Sequence, residues 1–256
     1  MPRFNSVNSN AIQMETNNEL PLSFLMQWQG FLNDKVVMTL EGKDGVLQGK
    51  GKKLTDNDAL AIGYTLQMNK TLKELYLKHN NITDISAIGN ALQTNKTLQK
   101  LEISEDNITD ISSIGEALKT NKTLKELRLK DNNITDISAI GEALKTNKTL
   151  KTLTLHGNNI TDVQSIGEAL KTNKTLKELF LGYNNITDDS GIQSIIDALK
   201  TNNTLNVLFL QNNQLSDNMK SQLNAISQYK HYGANGYQQV EGMFMFHYSN
   251  KIKLRF

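Results

Sequence analysis

The block NITDISSIGEALKTNKTLKEL, which starts at Asn107, returns with small changes along most of the chain. Leucines at one phase of it stand at Leu75, Leu101, Leu127, Leu153 and Leu179, four successive steps of 26, and a step of 29 reaches Leu208. A unit of this length buries its apolar face only against its neighbours, so the units must stack into a solenoid. The 256 residues therefore read as one elongated domain rather than two globular ones.

Within a unit, Leu127 and Leu129 alternate with polar residues, which suits a short strand with one buried face. Ile137, Ile140 and Leu144 recur at helical spacing and predict a helix packed behind that strand. Asp136 stands where it can cap the helix N-terminus, Lys145 lies in the last turn, and Asn147 is expected to end the helix in the left-handed conformation.

The segment Thr123 to Thr135, TLKELRLKDNNIT, carries Leu-x-x-Leu-x-Leu-x-x-Asn-x-Leu, with Ile134 in the last position. The strand part of the motif is matched six times, at Leu75/Leu77/Asn80/Ile82, Leu101/Ile103/Asp106/Ile108, Leu127/Leu129/Asn132/Ile134, Leu153/Leu155/Asn158/Ile160, Leu179/Leu181/Asn184/Ile186 and Leu208/Leu210/Asn213/Leu215. On these residues the stretch from Val46 to Leu215 resembles the leucine-rich repeat family, in its ribonuclease-inhibitor-like class. The resemblance implies an α/β horseshoe with a concave parallel sheet and convex helices. Units of 26 are two or three residues shorter than typical members of that class. The class also includes Ran GTPase-activating proteins and components of host-directed bacterial effectors, but no arginine or asparagine here can be matched to GTPase activation.

Both ends depart from the repeat, as solenoid ends must to cover their apolar faces. Residues 1–45 read as an N-terminal cap, with a helix from Pro21 to Leu32 that turns Leu22, Leu25, Trp28 and Leu32 inward and a hairpin through Asp44-Gly45. Residues 46–216 are the repeats, the first of them degenerate. Residues 217–256 read as a C-terminal cap, a closing helix over Asn218 to Tyr229 followed by a β-hairpin around Ser249-Asn250.

A net charge of +2 gives no field that would gather nucleic acid or membrane, and neither is expected as a partner. The absence of cysteine favours a reducing compartment, and no stretch has the length and apolarity of a signal peptide or membrane span. A soluble cytoplasmic protein is expected, or one delivered into a host cytoplasm.

The asparagine column Asn80, Asn132, Asn158, Asn184 and Asn213 is expected to be buried and to bond the backbone of its own and the adjacent unit. Asp106 interrupts it, which predicts a strained or hydrated turn, since a carboxylate accepts but does not donate. The acidic group Glu102, Glu105 and Asp106 has no spacing of a metal loop. Eleven Asn-x-Thr sequons are by-products of duplication, and the GKGKK run at Gly49 to Lys53 fails the glycine spacing of a phosphate loop. With no cysteine nucleophile, and with His79, His156, His231 and His247 lacking ligand or triad spacing, no catalysis, metal or cofactor is expected. Lysines recur in register at Lys96, Lys122, Lys148 and Lys174, with Lys119, Lys145, Lys171, Lys125, Lys151 and Lys177. Phosphate or lipid headgroups could use such a ridge, but the preferred reading is a solvated rim partly neutralised by Glu116, Glu142 and Glu168.

The differences between units carry the functional signal. SSIGEALKTNKTL, SAIGEALKTNKTL and QSIGEALKTNKTL differ only at their first two residues, whereas the exposed strand positions vary widely between units. One column reads Tyr76, Glu102, Arg128, Thr154, Phe180, Phe209. The next reads Lys78, Ser104, Lys130, His156, Gly182, Gln211, and the third His79, Glu105, Asp131, Gly157, Tyr183, Asn212. Drift after duplication would scatter changes over helix surfaces as well, so their concentration on one face points to binding. The expected site is Tyr76, His79, Glu102, Glu105, Arg128, Lys130, Asp131, His156, Phe180, Tyr183 and Phe209. Aromatics beside an arginine have the composition of a protein-binding hot spot. Six strands span about 24 Å, which suits a protein partner better than a small-molecule substrate. A monomeric, non-enzymatic interaction scaffold follows. The alternatives are attachment of the basic ridge to an anionic surface, and a host-directed or GTPase-regulating role.

Overall fold

The computed structural model describes residues 45–187, 189–232 and 253–255. Eight strands form one parallel sheet in chain order: β1 (Val46–Gln48), β2 (Glu74–Lys78), β3 (Lys100–Ser104), β4 (Glu126–Arg128), β5 (Thr152–Thr154), β6 (Glu178–Phe180), β7 (Val207–Phe209) and β8 (Lys253–Arg255). Seven helices alternate with them: α1 (Asp56–Met68), α2 (Ser86–Thr94), α3 (Ser112–Thr120), α4 (Ser138–Leu144), α5 (Gln164–Thr172), α6 (Asp189–Thr201) and α7 (Asp217–Tyr232). This is an α/β solenoid. The pairing register aligns Leu47, Leu75, Leu101, Leu127, Leu153, Leu179, Leu208 and Leu254 in one row, so the sequence period is the structural period.

The core is one continuous apolar cluster from Leu47 to Leu223, fed by two residues of each strand segment and by an Ile/Ala/Leu face of each helix. In α3 that face is Ile114, Gly115, Ala117 and Leu118. The glycine is set by close approach, because a Cβ on Gly115 would lie 2.5 Å from the Cβ of Ala139 in the next unit. The same holds at Gly141, where the Cβ of Ser165 would be 2.4 Å away. Successive helices therefore pack at a separation that no side chain larger than hydrogen permits.

Helix starts follow the expected chemistry with a shift of one residue. Ser138 N–H donates to Asp136 at 2.8 Å, while the capping position itself is held by buried Ile137. Asp84, Asp110 and Asp162 do the same for Ser86, Ser112 and Gln164. The helix ends correct the expectation for Asn147. The equivalent Asn121 and Asn173 have φ of −65° and −66°, and Asn147 is not among the residues of positive φ. These asparagines are buried and act through their side chains. Asn147 Nδ2 donates to the Leu118 carbonyl at 2.7 Å, and its Oδ1 accepts from the N–H groups of Thr149 and Leu150.

At the ends, α7 covers the expected closing helix and buries Met219 and Leu223. Lys253–Arg255, expected as the second arm of a terminal hairpin, extends the parallel sheet beside β7. The first arm of that hairpin and the N-terminal helix with Trp28 fall outside the described residues. Val46–Gln48 pairs in parallel with β2, so the degenerate first unit contributes a strand and, in α1, a helix. No helix among the described residues is long and apolar enough to cross a membrane.

Candidate functional site

Strand residues alternate between the core and the open face of the sheet, as β2 shows with Leu75 and Leu77 buried between half-buried Glu74, Tyr76 and Lys78. The register brings Tyr76, Glu102, Arg128, Thr154, Phe180 and Phe209 into one row across that face. Arg255 stands in register beside Phe209, and Gln48 beside Tyr76. A further row was missed: Glu74, Lys100, Glu126, Thr152, Glu178 and Val207 share the same face. It lies one alternation before the first leucine, and extending the period of two by one step finds it.

These rows knit the N-terminal half of the face into an ionic lattice. Tyr76 Oη donates to Glu74 at 2.5 Å, and Lys100 Nζ lies 5.1 Å from the Tyr76 ring centroid and 3.2 Å from Glu126. Arg128 meets Glu126 and stands 3.9 Å from Glu102. Burial, then the Glu74 hydrogen bond, raises the Tyr76 phenol. Burial pulls the Lys100 ammonium down, but its bonds with Tyr76 and Glu126 hold it above its ordinary value. Lys78 pairs with Glu105 at 2.8 Å, which keeps that carboxyl below its ordinary range, and His79 lies 3.7 Å from the same carboxylate. Lys130 pairs with Asp131 at 2.9 Å. The five charged site residues expected from sequence, Glu102, Glu105, Arg128, Lys130 and Asp131, all stand in ion pairs here.

The C-terminal half is aromatic. Phe180 and Phe209 stack with centroids 4.9 Å apart, and His156 tilts against Tyr183 at 4.7 Å. Burial pushes the His156 imidazole below its ordinary value, so its ring is neutral at pH 7. Tyr183 is 51% exposed. Glu102, Glu105 and Asp106 each serve a different partner, Arg128, Lys78 and the N–H groups of Asn80 and Ile82, in line with their lack of metal-loop spacing. No group of three His, Asp or Glu side chains with metal-site geometry occurs among the described residues. His79 and His156 are held by unrelated neighbours, Glu105 and Tyr183.

The third column has a property that its composition only hinted at. His79, Glu105, Asp131, Tyr183 and Asn212 have φ between 53° and 59°, and Gly157 has 68°. Their N–H groups bond the carbonyl of the next unit, as Tyr183 does with Gln211 at 2.8 Å and Asp131 with His156 at 2.8 Å. The inter-unit ladder thus forces the left-handed backbone. A residue other than glycine, asparagine or aspartate costs about 1 kcal/mol or more there. Gly157 and Asn212 were the sequence signal, since those types favour the conformation.

Behind the face, two asparagine ladders hold the corners. Asn158 Nδ2 donates to the carbonyls of Leu129 in the preceding unit and Leu155 in its own, and its Oδ1 accepts from Ile134 N–H. The second ladder, Asn95, Asn121, Asn147, Asn173 and Asn202, was read as sequons and, at Asn147, as a left-handed helix end. Each of them donates to a carbonyl near the end of the preceding helix. Asp106 keeps only half of its role. Its Oδ1 accepts from Asn80 and Ile82 N–H at 3.1 and 3.0 Å, but Oδ2 is buried without a partner, as is Ser104 Oγ. Burial raises the Asp106 carboxyl above its ordinary value, against the lowering effect of those two N–H groups.

The fold and its ladders define a repeat protein with one strand, one helix and two pinned corners per unit. The family model described as leucine-rich repeats in two copies matches residues 122–171, and a second leucine-rich repeat model matches residues 69–89 and 172–193. The matched stretches carry leucine-rich repeats. Among solved structures, an internalin (inlF) from Listeria monocytogenes is 24% identical over 69% of this chain and 50% of its own, with a TM-score of 0.46. An internalin C2 (inlC2) from the same organism is 22% identical over 72% of this chain and 77% of its own, with a TM-score of 0.43. The chain thus spans half the length of the first of these. Comparison with curated protein sequences gives no match.

Proposed function

We propose that this chain is a protein-binding scaffold of the ribonuclease-inhibitor-like kind whose concave sheet face holds one protein partner. One observation carries the reading. The residues that differ between units gather on the open sheet face, and there the third column keeps His79, Glu105 and Tyr183 at torsions where glycine would cost least. Strain kept at a variable position is the mark of side chains retained for what they touch. The partner would meet Tyr76, His79, Glu102, Glu105, Arg128, Lys130 and Asp131 in the ionic half. His156, Phe180, Tyr183 and Phe209 would supply the aromatic anchors. We further propose a monomer that acts in a reducing cytoplasm without a cofactor or a catalytic step. The cysteine-free composition supports the compartment.

The test is quantitative capture from native lysate with the parent chain and the Arg128→Ala/Phe180→Ala/Tyr183→Ala variant, both shown to be folded by circular dichroism. Loss of one captured protein with the variant is the expected outcome. Equal recovery rejects the open face as the binding surface.

A further inference from the structure

The recurring lysines, read from sequence as one partly neutralised rim, divide into two rows. The helix-end row is neutralised within its own helix: Lys119, Lys145 and Lys171 sit 2.6, 2.6 and 2.7 Å from Glu116, Glu142 and Glu168. The corner row is different. Lys96, Lys122 and Lys148 follow the buried asparagines directly, and Lys125 and Lys151 follow one turn later. None of these five has a carboxylate within ion-pair distance among the described residues. Lys125 donates only to the Gln99 side chain at 2.8 Å.

These five ammonium groups line one groove of about 320 Å³ that crosses three units, with Thr97, Thr123, Thr149 and Gln99 as the rest of its wall. The asparagine ladder builds it. Asn95, Asn121 and Asn147 tie each corner to the preceding helix end, so Lys-Thr-Leu-Gln at 96–99 and Lys-Thr-Leu-Lys at 122–125 and 148–151 are presented in the same pose. The wall holds no acid, no aromatic ring and no large apolar side chain. Clustered ammonium groups without counter-charges repel one another, and a ligand that supplies several negative oxygens removes that cost.

We propose that this groove binds a compact polyphosphorylated small molecule. Five lysines spread over two unit spacings, about 10 Å, match several phosphate groups carried on one small frame. A volume near 320 Å³ lies at the lower end of small-ligand sites. With no aromatic platform, nothing here stacks a nucleobase. The phosphates are the shared chemistry of two sources, a phosphorylated polyol and a short linear polyphosphate. The site is separate from the open sheet face and does not depend on the protein-binding reading.

Titration calorimetry at about 0.1 M salt, where exposed charge pairs are screened beyond about 10 Å, uses inositol hexakisphosphate and tripolyphosphate as probes. Two variants remove the same charge: Lys122→Ala/Lys148→Ala in the groove, and Lys119→Ala/Lys145→Ala in the neutralised row. The expected result is saturable binding of at least one probe, weakened about ten-fold or more by the groove variant and about two-fold or less by the other. The tighter probe identifies the source. Equal weakening by both variants overturns the site, because net charge alone would then explain the binding. Absence of heat with either probe also overturns it, as does binding only to phosphatidylserine vesicles or nucleic acid. Circular dichroism confirms that both variants are folded, and Arg128→Ala/Phe180→Ala must leave the titration unchanged.

Discussion

The corners of the solenoid and its open sheet face are built by the same chain on the same period, yet they obey different rules. At the corners an asparagine recurs in nearly every unit, buried, with its donor and acceptor both used. On the face, the residues in register change from acid to base to aromatic within a few strands, and one column tolerates left-handed backbone at His79, Glu105 and Tyr183. The contrast teaches that stacking constrains the corners almost completely and leaves the face nearly free. A stacking error at a corner strands buried backbone groups, whereas a change on the face alters only half-exposed contacts.

Substitutions can break this division or sharpen it. The largest effect belongs to the corners. Asn147→Ala leaves the Leu118 carbonyl and the N–H groups of Thr149 and Leu150 without partners, and should cost about 3 kcal/mol in urea unfolding. Thr154→Ala, on the face of the adjoining strand, should change stability by about 0.5 kcal/mol or less. Similar losses for the two would erase the distinction.

Next comes the helix layer. Gly115→Ala pushes a methyl group against Ala139, with backbone carbon at 2.7 Å, and should destabilise by about 2 kcal/mol. A neutral result in thermal unfolding would mean that neighbouring helices can slide apart, contrary to the close packing described.

The exception inside the corner ladder gives the third effect. By the offset at which Asn132, Asn158 and Asn184 reach back, 29 residues, an amide at position 106 would donate to the Leu77 carbonyl. Asp106→Asn should therefore raise stability by about 1 kcal/mol at neutral pH. Burial raises the Asp106 carboxyl, so the folded chain retains a proton that the unfolded chain releases near 3.8. That contribution is complete below 3.8 and is lost as pH rises through the raised folded value. The advantage of the asparagine variant should thus grow with pH across this window and be smallest in acid. Equilibrium unfolding across that range checks the sign, and a pH-independent difference would exclude a protonated Asp106.

The smallest effect tests the strain on the face. Tyr183→Gly should gain about 0.5 kcal/mol by releasing the left-handed backbone, less what is lost with the His156 contact, while weakening partner capture. A destabilised variant would show that Tyr183 is held for packing rather than for binding.

Much of this was legible in the residues because burial and period coincide. The leucine phase became the strand register without a slip, and the first asparagine column proved buried, apart from half-buried Asn213, and bonds its own and the adjacent unit. Asn147 was misread because an asparagine after a helix fits two mechanisms, left-handed torsion and side-chain bonding. Only the position of the preceding helix end selects the second. The row Glu74, Lys100, Glu126 and Glu178 was overlooked because the strand was taken to begin at its first leucine. Its ion pairs join residues of neighbouring units, and side-chain reach between strands is not written in a linear period. The two lysine rows were read as one rim, and the structure separates them by whether a carboxylate lies within reach.

By itself, then, the sequence determined that the chain must stack, at what period, and which residues face inward, since apolar residues repeating every 26 positions have no other way to leave water. Only the tertiary structure decided which polar groups meet. Hydrogen bonds, ion pairs and left-handed torsions depend on distances of a few ångströms between units, and those distances exist only once the units are stacked.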